Sequence, residues 1–406
     1  MSGFEAAVTG LGLVTPAGVG VQQNWEAVCS GVSRAAVDPA LDACPVRISC
    51  RVPDFDAGEL LGQRRAHRLD PFVQFALVAA KEALADAGLD PRTWDGARVG
   101  VVLGTADGGT ATMEQQNQTF LAEGARWVSP LLLPMHLPNM LAGQMAMEFG
   151  ATGPNLVVAT ACASGATAIG TARDLLAADR CDVVLTGGSE AMLGRVTMAG
   201  FAQMGALSRR EDEPALASRP FDVDRDGFVA GEGAGVLVLE RAADARARGA
   251  RSHGRIIGYG ASADAHHMTK PHPEGHGTEA AVRRALADAG TAVRDIGHVN
   301  AHGTSTPLND RVEGQMLGRV LPGRPLVTST KGVTGHLLGA SGAVEAALTL
   351  LTLRNGLVPP TANLTTPDPA VDIEIATEPT PCAAQLAMSN SFGFGGQNTV
   401  LVAAAP

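Results

Sequence analysis

A cysteine set between an apolar run and a string of small residues is the first place in this sequence where chemistry is expected. The stretch reads Leu156-Val-Val-Ala-Thr-Ala-Cys162-Ala-Ser-Gly165 and continues Ala166-Thr-Ala-Ile169-Gly-Thr-Ala-Arg-Asp-Leu175-Leu176. The Val-rich part predicts a buried strand; the small residues, with Ile169, Leu175 and Leu176 as apolar positions, predict a helix. Cys162 then falls at a strand-to-helix junction. Unpaired backbone N–H groups at a helix start favour negative charge, which would lower the thiol pKa and make the sulfur a nucleophile. Gly165 and its small neighbours would let a substrate approach. Taken alone, the segment also fits a buried structural cysteine at a strand end.

Three polar motifs in the second half share that placement. Asn300-Ala-His302-Gly-Thr304-Ser-Thr306 follows an apolar strand, and Ser329-Thr-Lys331-Gly-Val-Thr-Gly-His336 precedes a helix. Asn390-Ser-Phe392-Gly-Phe394-Gly-Gly396 reads as a Gly-rich turn before a last strand at 399–402. If these loops meet on one side of the fold, one thiol, two imidazoles and one ammonium converge. The histidines at 266, 267, 272 and 276 have no metal-ligand spacing, and the Gly-Phe-Gly-Gly turn lacks the context of a dinucleotide fingerprint.

The elements that would gather these residues come from a duplication. Apolar residues from Phe72 to Leu84 recur at helical spacing and stop at Gly88, a natural C-cap. The hexapeptide Ala-Leu-Ala-Asp-Ala-Gly closes that helix at 83–88 and closes a second helix at 285–290. Each copy is followed by a loop, a strand and Gly-Thr, at 104–105 and at 303–304. The Cys162 segment answers to Thr330-Lys-Gly-Val-Thr-Gly-His-Leu-Leu-Gly339, and Asp182–Glu190 answers to Leu386–Gly396. Alternating strands and helices predict α/β layers with mostly parallel sheets. The halves divide near 250: residues 1–250 carry the cysteine and a loop-rich insertion at 201–232, and residues 251–406 carry the His, His, Lys and Phe motifs.

Composition narrows the function. The chain has 406 residues, 45% of them hydrophobic, enough for a large core. Only 4% are aromatic, against 49 glycines, which implies close packing of small residues. A net charge of -10 argues against general nucleic-acid binding. Six cysteines without a CxxC pair suggest reduced thiols and a cytoplasmic setting. No apolar run is long enough for a membrane span, and Met1-Ser-Gly-Phe-Glu reads as no secretion signal.

The four motifs Thr160-Ala-Cys-Ala-Ser-Gly, Asn300-Ala-His-Gly-Thr-Ser-Thr-Pro, Lys331-Gly-Val-Thr-Gly-His and Asn390-Ser-Phe-Gly-Phe-Gly-Gly, in this order, resemble those of the β-ketoacyl-acyl carrier protein synthases. These are the elongating condensing enzymes of type II fatty acid and polyketide synthesis. The resemblance spans essentially the whole chain. It implies the thiolase fold, two βαβαβαββ halves stacked as five α/β/α/β/α layers, in a homodimer or a heterodimer with a chain length factor. It also implies a decarboxylative Claisen condensation with an acyl carrier protein as partner, and no metal or organic cofactor.

On that resemblance Cys162 carries the acyl group, and the backbone N–H groups of Cys162 and Phe392 form the oxyanion hole. His302 and His336 donate to the malonyl-derived enolate, Lys331 holds the His336 arrangement, and Phe392 is the gate. Thr304 and Thr306 match pantetheine contacts. Arg64, Arg65, Arg68 and Arg209 match positions that dock an acidic carrier protein. Asn300, Glu345, Ser389 and Asn390 match a structural monovalent-cation site. Asp107 departs from the apolar residue usual beside the acyl pocket of fatty acid members. Together with a composition of the kind found in high-GC actinobacterial proteins, it points to a polyketide setting, with fatty acid elongation as the alternative. A chain length factor would lack the cysteine. A thiolase would place a second cysteine in the C-terminal Gly-rich loop, where this chain has none; Cys382 lies outside it. An initiating condensing enzyme would use Cys, His and Asn.

Overall fold

The computed structural model describes residues 4–406, so the Met1–Gly3 part of the N-terminal reading lies outside the described residues. The first half runs β1 (Ala6–Thr15), α1 (Pro71–Ala87), β2 (Val99–Gly104), α2 (Met140–Phe149), β3 (Asn155–Val158), α3 (Ser164–Ala177), β4 (Val183–Glu190) and β5 (Gly233–Arg241). The second repeats the order with β6 (Gly254–Ala263), α4 (His276–Ala289), β7 (His298–Asn300), α5 (Pro307–Val320), β8 (Leu326–Thr328), α6 (Ser341–Asn355), β9 (Leu386–Gly393) and β10 (Gln397–Ala404). Apart from inserted pieces, among them the helices Val21–Ser30, Thr110–Glu123 and Arg195–Gln203, both halves are therefore βαβαβαββ.

The strands lie in the order β8-β7-β9-β10-β6-β1-β5-β4-β2-β3 within an 11-stranded sheet; the short strand Gly18–Val19 pairs off this path. Read outward from the centre, the two arms are equivalent strand for strand. They are joined by the pairs Ala6↔Ile256, Ala7↔Arg255 and Val8↔Gly254. The pairing is mixed rather than mostly parallel: β2, β3 and β4 pair in parallel, as do β7, β8 and β9, but every pairing from β4 through the centre to β9 is antiparallel. A turn of only three residues, Phe394–Gly396, links β9 to β10, and so short a link permits only an antiparallel partner.

The middle of the five layers is α3 against α6. In α6, every residue from Ser341 to Leu353 is buried. A helix buried on all sides belongs to a core, and burying each of Leu348, Leu350 and Leu351 contributes about 2 kcal/mol. The outer layers are α1 and α4, packed on β1 and β6. The duplicated hexapeptide ends both, with Gly88 and Gly290 as left-handed caps at φ 63 and 62°. Asp70 caps the other end of α1 by accepting from the Phe72 N–H.

Where α3 and α6 cross, a Cβ on Gly165 would sit 2.8 Å from Ala343 N, and one on Gly342 would sit 2.8 Å from Ala166 N. Gly165 is small because another helix backbone passes there, not because a substrate does. The symmetry also sets the register. Single 3-10 turns, Ala161–Ala163 and Leu338–Ala340, precede α3 and α6, and their first residues share a left-handed φ of 49°. The equivalent of Cys162 is thus Gly339, and Lys331 belongs to a separate short helix, Lys331–Thr334.

Candidate active site

Cys162 sits on the 3-10 turn between β3 and α3. The left-handed Ala161, an unfavourable conformation for a residue with a Cβ, turns the chain sharply so that the next side chain enters a cavity of about 650 Å³. Ser164 holds the turn: its hydroxyl donates to Ala161 O at 2.7 Å and accepts from Thr160 N at 2.9 Å. His302, His336, Thr304, Thr306, Phe392 and Asp107 line the same cavity. Residues more than a hundred positions apart are thereby brought together, as the two-half reading requires.

The imidazole rings of His302 and His336 stand edge to face with centroids 5.4 Å apart. His302 is anchored through its backbone, where its N–H and that of Gly303 each donate to Glu313 on α5 at 2.8 Å. His336 is anchored by the end of the insertion: its N–H donates to Val229 O at 2.8 Å, and the Phe228 ring lies 5.4 Å away. Its Nδ1 is 2.9 Å from Ser341 Oγ. Burial first, then the Lys331 charge, holds both imidazoles well below the ordinary range, so both are neutral.

Lys331 does not line the cavity. Its ammonium lies behind the wall, donating to the His302 carbonyl at 2.6 Å and to the Glu345 carboxylate. It therefore supports His302, not His336 as anticipated. The gate assignment also changes. Asn390 to Gly393 belong to strand β9, and Phe392 is buried with its ring 5.7 Å from His302. The turn proper starts at Phe394, which also lines the cavity. The backbone N–H groups of Phe394 and of Cys162 itself both act to lower the Cys162 thiol pKa. A Cβ on Gly393 would lie 2.5 Å from Thr160 O, so the loop can cross the cysteine turn only with glycine there. Phe394, not Phe392, sits where an oxyanion donor and gate belong.

The thiol is not depressed. Burial pushes Cys162 up to about 11, and the nearby Lys331 charge and the two N–H groups only partly offset it. The local helix-start argument was sound in sign, but desolvation outweighs it.

Behind the cysteine lies a group missed at the sequence level. Glu190 is fully buried; its Oε2 accepts from Ala106 N at 2.5 Å and Gly339 N at 3.2 Å, and its Oε1 accepts from Thr105 Oγ1 at 2.8 Å. The carboxylate thus occupies the helix start equivalent to that of Cys162. Burial, with Asp107 adding, pushes Glu190 up to about 7. A raised folded pKa means that stability is lost as pH climbs from the ordinary value of 4.5 to about 7, because the unfolded chain gives up this proton first. Glu190→Gln can keep every hydrogen bond once the Thr105 hydroxyl rotates to accept. The variant is expected to match wild type in thermal unfolding at pH 5 and to exceed it at pH 8, by on the order of 2 kcal/mol. Equal stability at pH 8 would show that the native charge carries no such cost.

The other anticipated positions divide. Thr304 and Thr306 share a hydroxyl contact of 2.9 Å at the cavity wall. Arg64, Arg68 and Arg209 are exposed, while Arg65 is committed to Glu148 on α2 and is not free for a partner. Asn300 Oδ1, Glu345 Oε2, Ser389 Oγ and Asn390 Oδ1 are all buried without a hydrogen-bond partner among the described residues. Asn300 and Ser389 are directly opposite each other on β7 and β9, and Asn300 Nδ2 reaches Glu345 O at 3.4 Å. Orphaned hard oxygens are the donor set a monovalent cation takes, so these residues fit one. Among the described residues, no group of three or more His, Cys, Asp or Glu side chains is arranged to hold a metal ion, and no helix is long and apolar enough to cross a membrane.

Known proteins with these features carry the same fold. A family profile described as β-ketoacyl synthase, N-terminal domain, matches residues 4–245, and its C-terminal companion matches residues 253–365. The 3-oxoacyl-(acyl-carrier-protein) synthase 2 of Synechocystis is 42% identical over 98% of this chain and 97% of its own. A β-ketoacyl synthase from Burkholderia phymatum superposes with a TM-score of 0.93 at 34% identity, over 99% of this chain and 100% of that one. A type II polyketide ketosynthase, solved with its acyl-carrier protein and bound to a hexaketide, gives a TM-score of 0.92 at 31% identity over the full length of both chains.

Proposed function

The chain belongs to the β-ketoacyl synthase family and is a β-ketoacyl-acyl carrier protein synthase of the thiolase superfamily, and from that premise we propose that it elongates fatty acyl chains on Cys162. The observation that carries the reading is the single cavity shared by Cys162, His302 and His336.

In the first half-reaction, Cys162 exchanges its proton for the acyl group of a carrier thioester, and the carrier leaves as a free thiol. The N–H groups of Cys162 and Phe394 hold the oxyanion of the tetrahedral intermediate. In the second, malonyl-carrier loses CO2. The resulting enolate oxygen takes hydrogen bonds from neutral His302 and His336, and its carbon attacks the acyl-cysteine. The cysteine leaves as thiolate and regains a proton. Loss of CO2 drives the step, so no organic cofactor is needed. Asn300, Glu345, Ser389 and Asn390 would hold a monovalent cation, which would neutralise the buried carboxylate beside Lys331.

The partner is an acyl carrier protein, with Arg64, Arg68 and Arg209 as docking positions. A second copy would cover the exposed apolar side chains Phe120, Leu121 and Trp127. The fatty acid setting ranks above the polyketide setting anticipated from the sequence, because the 42% identity to a 3-oxoacyl-(acyl-carrier-protein) synthase 2 exceeds the 31% identity to the polyketide ketosynthase.

Asp107 favours the second reading. It puts an acidic side chain into a cavity that the apolar Ala106, Met192 and Phe201 also line. Incubation with carriers bearing saturated chains of graded length, plus malonyl-carrier, is expected to give products two carbons longer by mass spectrometry. Asp107→Ile is expected to raise use of the longest chains about tenfold, the discrimination that a small change in an apolar pocket supplies. A wild-type protein that loads no saturated chain would overturn the fatty acid setting. Unchanged chain preference in Asp107→Ile would remove Asp107 from the specificity argument.

A further inference from the structure

We propose that Ser341 is a positioning residue for the decarboxylation step: its hydroxyl donates to His336 Nδ1 and so fixes the ring proton on Nε2, the nitrogen left to meet a ligand. The role in decarboxylation rests on the function proposed above; the state of the ring does not.

The internal symmetry supplies the comparison. Ser164 and Ser341 are equivalent, each the first residue of its helix after a 3-10 turn. Ser164 bonds to its own backbone, donating to Ala161 O and accepting from Thr160 N. That is the ordinary use of a serine at a helix start. The equivalent groups near Ser341 belong to Leu337 and Leu338, yet its hydroxyl lies 2.9 Å from His336 Nδ1 instead. The same position has been turned from a local backbone role to a side chain on the cavity.

The direction of the bond follows from what else is within reach. Ser341 is buried, and among the described residues its oxygen has no other partner. Were Nδ1–H to donate, the hydroxyl hydrogen would be buried with no acceptor, the costlier way to leave a polar group. With the hydroxyl donating, no buried donor is stranded, and Nε2–H is free to hold an enolate oxygen. Because burial and Lys331 keep His336 neutral, what this ring can donate is set by its tautomer rather than its charge. His302 contrasts with it: its Nδ1 is buried without a partner among the described residues, so no such hydroxyl fixes that ring.

Selective 15N labelling of the histidines in the full chain tests this, with His336 assigned by the signal that disappears in His336→Gln. The wild-type spectrum is expected to show an unprotonated Nδ1 and a protonated Nε2. In Ser341→Ala, the His336 signals should shift toward a mixture of tautomers. Malonyl-carrier decarboxylation should fall about tenfold while acyl loading of Cys162 stays within about twofold, and Ser341→Thr, which keeps the hydroxyl, should recover most of the loss. A protonated Nδ1 in the wild type would overturn the proposal without any variant. So would a Ser341→Ala protein with the wild-type spectrum and rate. A wild type that loads no acyl group on Cys162 would instead defeat the proposed function, leaving the tautomer reading intact.

Discussion

Cys162→Ala is expected to lower condensation by about 10⁴-fold or more while leaving malonyl decarboxylation within about tenfold of wild type. The two activities part because they use different groups. Condensation needs a covalent acyl carrier, and loss of a nucleophile removes a pathway rather than weakening one. Decarboxylation needs donors for the enolate oxygen, and both imidazoles keep their anchors without the sulfur: Glu313 under His302, and Val229 behind His336. The alanine should fit, since Cys162 is followed by Ala163 on a turn held by Ser164. The native thiol gives a second readout. With burial pushing it up to about 11, its alkylation rate should still be climbing between pH 8 and 10, where an ordinary thiol levels off. A Cys162→Ala protein that condenses at more than a hundredth of the wild-type rate would defeat the assignment.

That thiol also shows where sequence reasoning reaches and where it stops. The strand, the sharp turn and the helix around Cys162 were legible because each is set by neighbours in sequence: an apolar run, small residues and a polar helix start; the expected burial of that strand was wrong, since β3 lies at the sheet edge with Leu156 44% exposed. The duplication was legible for the same reason, since the hexapeptide ends at 83–88 and 285–290 are local C-caps in both halves. What failed depended on distant partners. The pKa of Cys162 is governed by a cavity whose walls come from both halves. Lys331 grips the His302 carbonyl, which motif order alone did not reveal. Phe392 and Phe394 are alike in sequence; only the point where β9 ends separates a buried ring from the loop over the cysteine. Glu190, Glu313 and Ser341 carried no motif signal, because a buried polar side chain is defined by what it pairs with. The four oxygens at Asn300, Glu345, Ser389 and Asn390 are the converse case: the resemblance named them, and their lack of hydrogen-bond partners gives the naming a physical basis.

The second large effect is expected at His302. His302→Ala should reduce both decarboxylation and condensation by about 10²- to 10³-fold, the usual loss when one preorganised donor to a developing oxyanion is removed. Acyl loading of Cys162 should stay within about tenfold, because the donors proposed for that oxyanion are the backbone N–H groups of Cys162 and Phe394 rather than His302. His302→Gln, which returns an N–H donor, should recover part of the loss. The pH dependence has a definite sign. Burial and the Lys331 ammonium hold the ring well below the ordinary imidazole range, so it remains a neutral donor as pH falls from 8 to 6. The decarboxylation rate should therefore be flat over that interval, where an imidazole in water would become mostly charged. Removing the Lys331 charge, as in Lys331→Met, takes away the largest effect after burial that keeps His302 neutral and also frees its carbonyl. The activity lost should then include a component that appears as pH falls toward 6. A wild-type rate that drops steeply between pH 7 and 6, or a His302→Ala protein that decarboxylates normally, would mean that the enolate is stabilised by some other group on the cavity wall.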